Sequence, residues 1–301
     1  MTPLRALAQL CTFGLSLLLV PGAHAACTIA PLGSTQRVAV GTTGRTMLVH
    51  LPPALAEQGV PLVFLLHGSH GTGAEILERA KLAATADRHG FIVAAPDGAI
   101  AVDSGFAWNI PGVPTVTGAM PKASDADDVA YLGAAIDWLA TQQCVDRTRV
   151  YATGLSGGGR MTSWLGCVAA DRFAAIAPVV GLRAGNPLPG DPSRPDPATC
   201  TPSRAMPVLA FAGDRDTTNP IEGGGPRYWQ YPMRAALARW AELDRCSGAL
   251  TVTAVSEQVD DERYAPCRDG VEVAARIAKG RGHEWVVDNE VLWAFLSRYR
   301  R

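Results

Sequence analysis

The residue in this sequence with the clearest chemical prospect is a serine held between glycines two positions to either side, Gly154-Leu155-Ser156-Gly157-Gly158. It falls between a strand-like run at 150–153 and a helical pattern at 158–170, and a G-x-S-x-G pattern in that context places the serine on a tight strand-to-helix turn. A Cβ at either flanking glycine would collide with neighbouring backbone there. Such a turn lifts the hydroxyl clear of a sheet and aims a helix N-terminus at negative charge developing on a substrate. Ser156 is therefore expected to act as a nucleophile.

A serine hydroxyl needs a base, and the base needs an orienting acid. Of the six histidines, His24 lies in the N-terminal leader, His50 in an expected edge strand and His89 at a helix C-terminus. His67 and His70 belong to the loop after the run at 61–66, where His67 is expected to brace the loop. His283 remains, in Gly280-Arg281-Gly282-His283-Glu284-Trp285, a glycine-flanked loop between the last strand and the last helix. Asp216, in Gly213-Asp214-Arg215-Asp216 after a strand at 206–212, supplies the acid and gives the chain order Ser, Asp, His. Asp214 is the rival, and a turn-forming role is open to either aspartate. Two backbone N–H groups must meet the oxyanion. Gly157 offers one, and Ser69 in the glycine-rich His67–Gly73 turn offers the other, unless those glycines only turn the chain.

The elements that must hold these groups are legible in the composition. With 48% apolar and 18% charged residues among 301, the chain is globular and not disordered. A formal net charge of -1 gives no electrostatic reason to expect nucleic-acid binding. At the N-terminus Arg5, an apolar run at 6–20 and Ala23-His24-Ala25 read as a signal peptide cleaved after Ala25, with residues 26–301 as a single catalytic domain and no membrane span in the mature chain. The mature chain keeps Cys27, Cys144, Cys167, Cys200, Cys246 and Cys267, an even set that implies three disulfides among fifteen possible pairings. Lipid anchoring at Cys27 is the less favoured reading, because His24 stands where a lipobox wants Leu. No C-x-x-C or H-E-x-x-H spacing occurs, so neither a metal nor a cofactor is expected.

β-rich runs alternate with helical patterns along most of the mature chain. That is the mark of an α/β fold with a mainly parallel sheet covered by helices on both faces. Residues 36–40 and 45–51 read as an antiparallel hairpin at its N-terminal edge. Further strands are expected at 61–66, 91–95, 150–153, 173–180, 206–212 and 271–278. Helices are expected at 74–88, from an S-x-x-D capping signal at 124–127 through 143, at 158–170, at 233–244 and at 286–299. Residues 99–123 read as a long surface loop carrying Trp108, and 186–207 as an irregular Pro-rich stretch.

These residues resemble the extracellular α/β-hydrolase esterases of the polyhydroxybutyrate depolymerase and feruloyl esterase type. The likeness runs from about Arg45 to Trp285 through Leu66-His67-Gly68, Pro96-Asp97-Gly98, Asp127-Asp128-Val129, the strand into Ser156, Asp171-Arg172-Phe173, Gly213 to Asp216 and Gly282-His283-Glu284-Trp285. It implies an α/β-hydrolase fold, Ser156 as nucleophile, Asp216 as acid, His283 as base, and an acyl-enzyme route for carboxylic esters. It also favours the pairs Cys246 with Cys267, Cys167 with Cys200 and Cys27 with Cys144. The sequence departs from the family at Val286, where Pro is common, and at Ser69, where Cys is common. Trp108 and Trp285, with Tyr228 and Trp229 nearby, are candidates to stack an aromatic acyl group or a polyester, core packing being the other use for each. Feruloyl esters, acetylated polysaccharide and hydroxybutyrate oligomers or polymer are all compatible substrates. A serine peptidase on the same fold and a catalytically silent binding protein are the alternatives.

Overall fold

The computed structural model describes residues 27–56 and 59–301, so the expected signal peptide lies outside the described residues. Ten strands form one sheet: β1 (Ser34–Ala39), β2 (Thr46–Leu51), β3 (Val60–Leu66), β4 (Ile92–Pro96), β5 (Val145–Leu155), β6 (Ala175–Val179), β7 (Val208–Gly213), β8 (Thr251–Ala254), β9 (Val259–Tyr264) and β10 (Val273–Ala278). Their order is β1-β2-β4-β3-β5-β6-β7-β10-β9-β8. The six strands from β4 to β10 run parallel, while antiparallel strands close both edges. This is the α/β-hydrolase arrangement.

β3 is buried along its whole length, and its pleat divides the core. Phe64 and Leu66 face one cluster and Val63 and Leu65 the other, as a period of two dictates. The helices are α1 (Gly73–Ala80), α2 (Leu82–His89), α3 (Asp128–Thr141), α4 (Gly157–Val168), α5 (Met233–Leu243) and α6 (Asn289–Leu296). Leu132, Leu165 and Trp240 bring α3, α4 and α5 onto the first face, and Ile76, Leu82 and Phe295 bring α1, α2 and α6 onto the second. Three disulfides tie the periphery, Cys27–Cys144, Cys167–Cys200 and Cys246–Cys267. These are the pairs the resemblance favours. With Cys27 bonded to Cys144, its sulfur is not free to carry a lipid.

Five expectations need correction. The single helix expected at 74–88 is two helices, because Lys81 takes a left-handed conformation (φ 52, ψ 25) and the carbonyl of Ala80 is met by Asn289 Nδ2 at 2.7 Å. The loop at 99–123 contains a short antiparallel ribbon, Ile100–Val102 with Gly105–Ala107, tied by a bridge between Gly71 and Phe106. Helix α3 is capped by Asp127, whose side chain accepts from Ala130 N, and not from Ser124. The next residue, Asp128, is buried, pairs with Arg45 and accepts the amides of Ala99 and Asn109, so it pins the loop that carries Trp108. Strands β8 and β9 were not expected at all. Finally, α6 starts at Asn289 behind an Asp288 cap, three residues later than the apolar pattern implies.

Candidate active site

Strand β5 ends at Leu155 and α4 begins at Gly157, so Ser156 is the whole of the turn between them. Its backbone stands at φ 56, ψ -110, a conformation that costs a non-glycine residue energy and persists only where its surroundings enforce it. The enforcement is visible. Ser156 N donates to Val179 O of β6 at 2.9 Å, and Arg160 N returns to Ser156 O at 2.9 Å. The flanking glycines are required by space: a Cβ on Gly158 would lie 2.2 Å from Leu66 O, and one on Gly154 would lie 2.7 Å from both Leu66 Cβ and the Gly158 carbonyl carbon. The β3 strand end is thus pressed against the turn.

That contact brings the loop after β3 to the serine. A Cβ on Gly157 would sit 2.5 Å from Ser69 Oγ and 2.9 Å from Ser69 N, so the two residues expected to bind the oxyanion are neighbours. Gly157 is the first residue of α4, where an N–H has no partner within the helix. Among the described residues the Ser69 amide donates to no other group. His67 holds the loop from beneath. It is buried, its Nδ1–H donates to Gly68 O at 2.7 Å, its Nε2 accepts from Gly98 N at 2.9 Å, and its ring stacks on Trp108 with centroids 4.7 Å apart. Burial lowers its pKa, which keeps the ring neutral for those two bonds.

The acid and base arrive on the loops that follow β7 and β10, at the same edge of the sheet as the nucleophile turn. His283 Nδ1 is 2.7 Å from Asp216 Oδ2. Asp216 is 5% exposed, and its other oxygen accepts the amides of Thr218 and Asn219, each at 2.8 Å. Burial pushes its pKa up, but the His283 ring and the two amides outweigh it and hold the carboxyl below its ordinary value. Asp214, the rival acid, instead accepts from Gly280 N at 2.6 Å and shapes the turn ahead of His283. A cleft of about 190 Å³ is lined by Ser69, Leu155, Ser156 and His283 together with Thr72 and Ile76 of the α1 end. The imidazole and the Ser156 hydroxyl share this cleft without a direct hydrogen bond among the described contacts. Such bonds commonly tighten only when substrate is bound.

The aromatic candidates divide. Trp108 is 4% exposed, its Nε1–H donates to His67 O at 2.8 Å, and it borders a second, small cavity beside Ser69 and Gly157. Trp285 packs against the core on the α6 side, donates to Asn289 Oδ1 at 3.2 Å and does not line the cleft. Trp229 is buried with its N–H on Pro220 O. Tyr228 lies under a guanidinium, that of Arg160, 4.1 Å from its ring centroid. Arg160 is the residue the sequence reading missed. It is 4% exposed and donates from Nη2 to Ser69 Oγ at 3.3 Å, directly behind the oxyanion loop. Its position one helical turn after Ser156, on the face of α4 that must be buried, was the available signal.

Comparison with known proteins points to a family of esterases. Residues 46–192 match the family of PHB depolymerase esterases. Feruloyl esterase B of Piromyces equi is 30% identical over 262 residues, covering 85% of this chain and 45% of that protein. A putative esterase NocK of Nocardia uniformis subsp. tsuyamanensis is 34% identical over 200 residues, covering 65% of this chain and 52% of its own length. The chain therefore spans about half the length of these relatives. Among solved structures, an acetyl xylan esterase from Aspergillus awamori superposes with a TM-score of 0.61 at 16% identity, over 88% of this chain and 99% of its own, a likeness of fold.

Proposed function

On a chain related over residues 46–192 to the PHB depolymerase esterases, we propose a serine esterase that hydrolyses carboxylic esters through an acyl-enzyme on Ser156. The observation that carries the reading is the 2.7 Å contact of His283 Nδ1 with the buried Asp216, opening onto the same cleft as Ser156. That contact fixes the ring with its proton on Nδ1 and leaves Nε2 as the base. Ser156 Oγ bonds to the ester carbonyl carbon as its proton passes to Nε2, and the carbonyl oxygen takes up charge against the Ser69 and Gly157 amides. Collapse breaks the ester C–O bond, and His283 returns the proton to the departing alkoxide. Water then repeats the sequence on the acyl-enzyme and frees the acid. No cofactor enters these steps.

Hydroxybutyrate oligomers or polymer, feruloyl esters and acetylated polysaccharide are the substrate classes favoured by the relatives. The three disulfides support export to an oxidising compartment, together with the expected signal peptide. No helix among the described residues is long and apolar enough to cross a membrane. The test is a fluorophosphonate probe followed by parallel ester and amide substrates. Labelling of the wild type at Ser156, ester turnover, and loss of several orders of magnitude in kcat in Ser156→Ala are expected. Full activity in Ser156→Ala would end the proposal, and preferential amide turnover would move the protein to the peptidases.

A further inference from the structure

The loop after the short ribbon at 105–107 runs beside α4 and the start of α3, and together they enclose a groove of about 590 Å³ that is open to solvent. That volume lies inside the range of roughly 300–1,000 Å³ common for small-molecule sites. The groove shares no lining residue with the cleft at Ser156, and no step of the ester mechanism uses it. Trp164 and Val168, one helical turn apart on α4, give it an apolar strip that Pro111, Pro121 and Val129 extend. Val168 is 46% exposed, and Trp164 is only half-buried.

The polar residues along the same groove are held in place by the fold. Asp125 Oδ2 accepts from Lys122 N at 2.7 Å, Asp127 Oδ1 accepts from Ala130 N at 3.0 Å, and Asn109 Nδ2 donates to Ala126 O at 3.1 Å. Each of these bonds leaves a second oxygen over. Asp125 Oδ1, Asp127 Oδ2 and Asn109 Oδ1 meet no donor of the protein among the described residues. The Asn109 backbone is fixed as well, its amide donating to the buried Asp128 at 2.8 Å. Side chains ordered before a ligand arrives lose less entropy when it binds.

Three unclaimed acceptors beside an indole call for a ligand that donates hydrogen bonds and also carries an apolar face. A polyester chain has the apolar face but only accepts. A cationic peptide donates, but Lys122 lines the same groove, and the N-terminus of α3 already offsets part of the Asp127 charge. Among the described residues no three carboxylate, histidine or cysteine side chains are placed to hold a metal ion. A neutral sugar ring meets both demands, with hydroxyls around its edge and C–H groups on its face. We propose that the groove between the 109–123 loop and the distal half of α4 is a binding site for a neutral saccharide chain, stacked on Trp164 and donating to Asn109, Asp125 and Asp127. Occupancy of this site does not rest on the esterase reading. Trp164 stands seven residues beyond Gly157 on α4, about 10 Å along the helix axis, so a chain held there stays on the molecule close to the oxyanion hole.

The test is calorimetric titration of the wild-type protein with xylohexaose, cellohexaose and mannohexaose. None of these carries an ester, so the result is independent of turnover. Saturable heat is expected with at least one of them, with a Kd on the order of 1 mM or tighter. Val168→Lys changes an exposed side chain in the last turn of α4, where a cation is tolerated, and crowds the apolar strip. Its melting temperature should stay near that of the wild type while its affinity falls by about tenfold or more. Trp164→Ala should remove binding altogether. Absence of heat with all three saccharides in the wild type overturns the proposal, whether or not Trp164→Ala folds. Wild-type affinity in either folded variant places the saccharide elsewhere and overturns it too. So does binding of hexalysine, or adsorption to a polyhydroxybutyrate film, that is lost in Val168→Lys while no saccharide binds.

Discussion

The change Asp216→Asn tests the proposed relay most directly, and the local hydrogen bonds determine how. Asp216 Oδ1 accepts two backbone amides, from Thr218 and Asn219, both at 2.8 Å, while Oδ2 faces His283 Nδ1 at 2.7 Å. In the asparagine the side-chain oxygen is the only atom able to accept those two amides, so the –NH2 is forced toward His283. Nδ1 must then become the acceptor, and the ring proton moves to Nε2, pointing a donor at Ser156 where a base is needed. The side chain keeps its volume and two of its three hydrogen bonds, so the fold should hold. In a serine–histidine–aspartate arrangement, a carboxylate-to-amide change that leaves the geometry intact costs about 10⁴-fold in kcat, close to 5.5 kcal/mol in the barrier. The assay is hydrolysis of a 4-nitrophenyl ester under saturating substrate, with circular dichroism confirming that the variant is folded. Asp214→Asn is the control, since Asp214 Oδ1 accepts only the Gly280 amide, and a loss below about tenfold is expected there. A folded Asp216→Asn enzyme retaining a tenth of wild-type kcat, or an Asp214→Asn enzyme with the larger loss, would refute this assignment.

Three further outcomes follow from packing and charge. Gly158→Ala would put a Cβ 2.2 Å from Leu66 O and should abolish ester turnover or folding, whereas Gly133→Ala in α3, where the added Cβ meets nothing within 4 Å, should raise stability by up to about 1 kcal/mol. Thermal melts of both decide it, and equal effects would be inconsistent with the close approach of β3 to the nucleophile turn. Asp244 is pushed up to about 7 by burial, against the opposing Met206 amide. The native state therefore holds a proton that the unfolded chain releases near pH 3.9, so this group's favourable contribution is present at low pH and is lost as pH rises toward 7. Asp244→Asn should flatten that decline and gain on the order of a few kcal/mol over the wild type at pH 8 relative to pH 4; unchanged slopes in denaturant unfolding against pH would sink the assignment. Replacing Cys167 and Cys200 by Ser removes a cross-link across 33 residues and should cost roughly 2 to 4 kcal/mol, read from the urea midpoint.

What the sequence disclosed depended on whether the deciding contacts were local. The nucleophile turn was legible because its requirement is local: two glycines beside a serine at a strand-to-helix junction have few other uses, and the order of Ser156, Asp216 and His283 along the chain did the rest. The break at Lys81 was not legible, because residues 74–88 carry a continuous helical pattern and the bend is fixed by Asn289, more than two hundred positions away, reaching the freed Ala80 carbonyl. Strand β9 was hidden for a related reason. Its sequence, Val-Asp-Asp-Glu-Arg-Tyr, reads as solvated loop, yet Glu262 is 3% exposed because Arg234 of α5 meets its carboxylate, and Asp261 is held by Arg263.

Arg160 and Arg183 mark where sequence patterning stops informing. An arginine in a Gly-Gly-Gly-Arg-Met run at a helix start reads as a surface residue, since arginines are seldom buried without partners. Burial here is imposed from elsewhere: Tyr228 and Tyr231, which precede α5, place their rings over the two guanidinium groups, and the loop pinned by Asp128 closes Ile110 and Val113 over them. A change that loosens that loop should therefore reach the oxyanion hole at a distance, because Trp108 on the same loop stacks on His67 and donates to its carbonyl. Asp128→Asn weakens the pairing with Arg45 while retaining an acceptor for Asn109, so kcat for a 4-nitrophenyl acetyl ester should fall by roughly tenfold with the fold retained. An unchanged kcat in the folded variant would mean that this loop does not position the groups that meet the oxyanion.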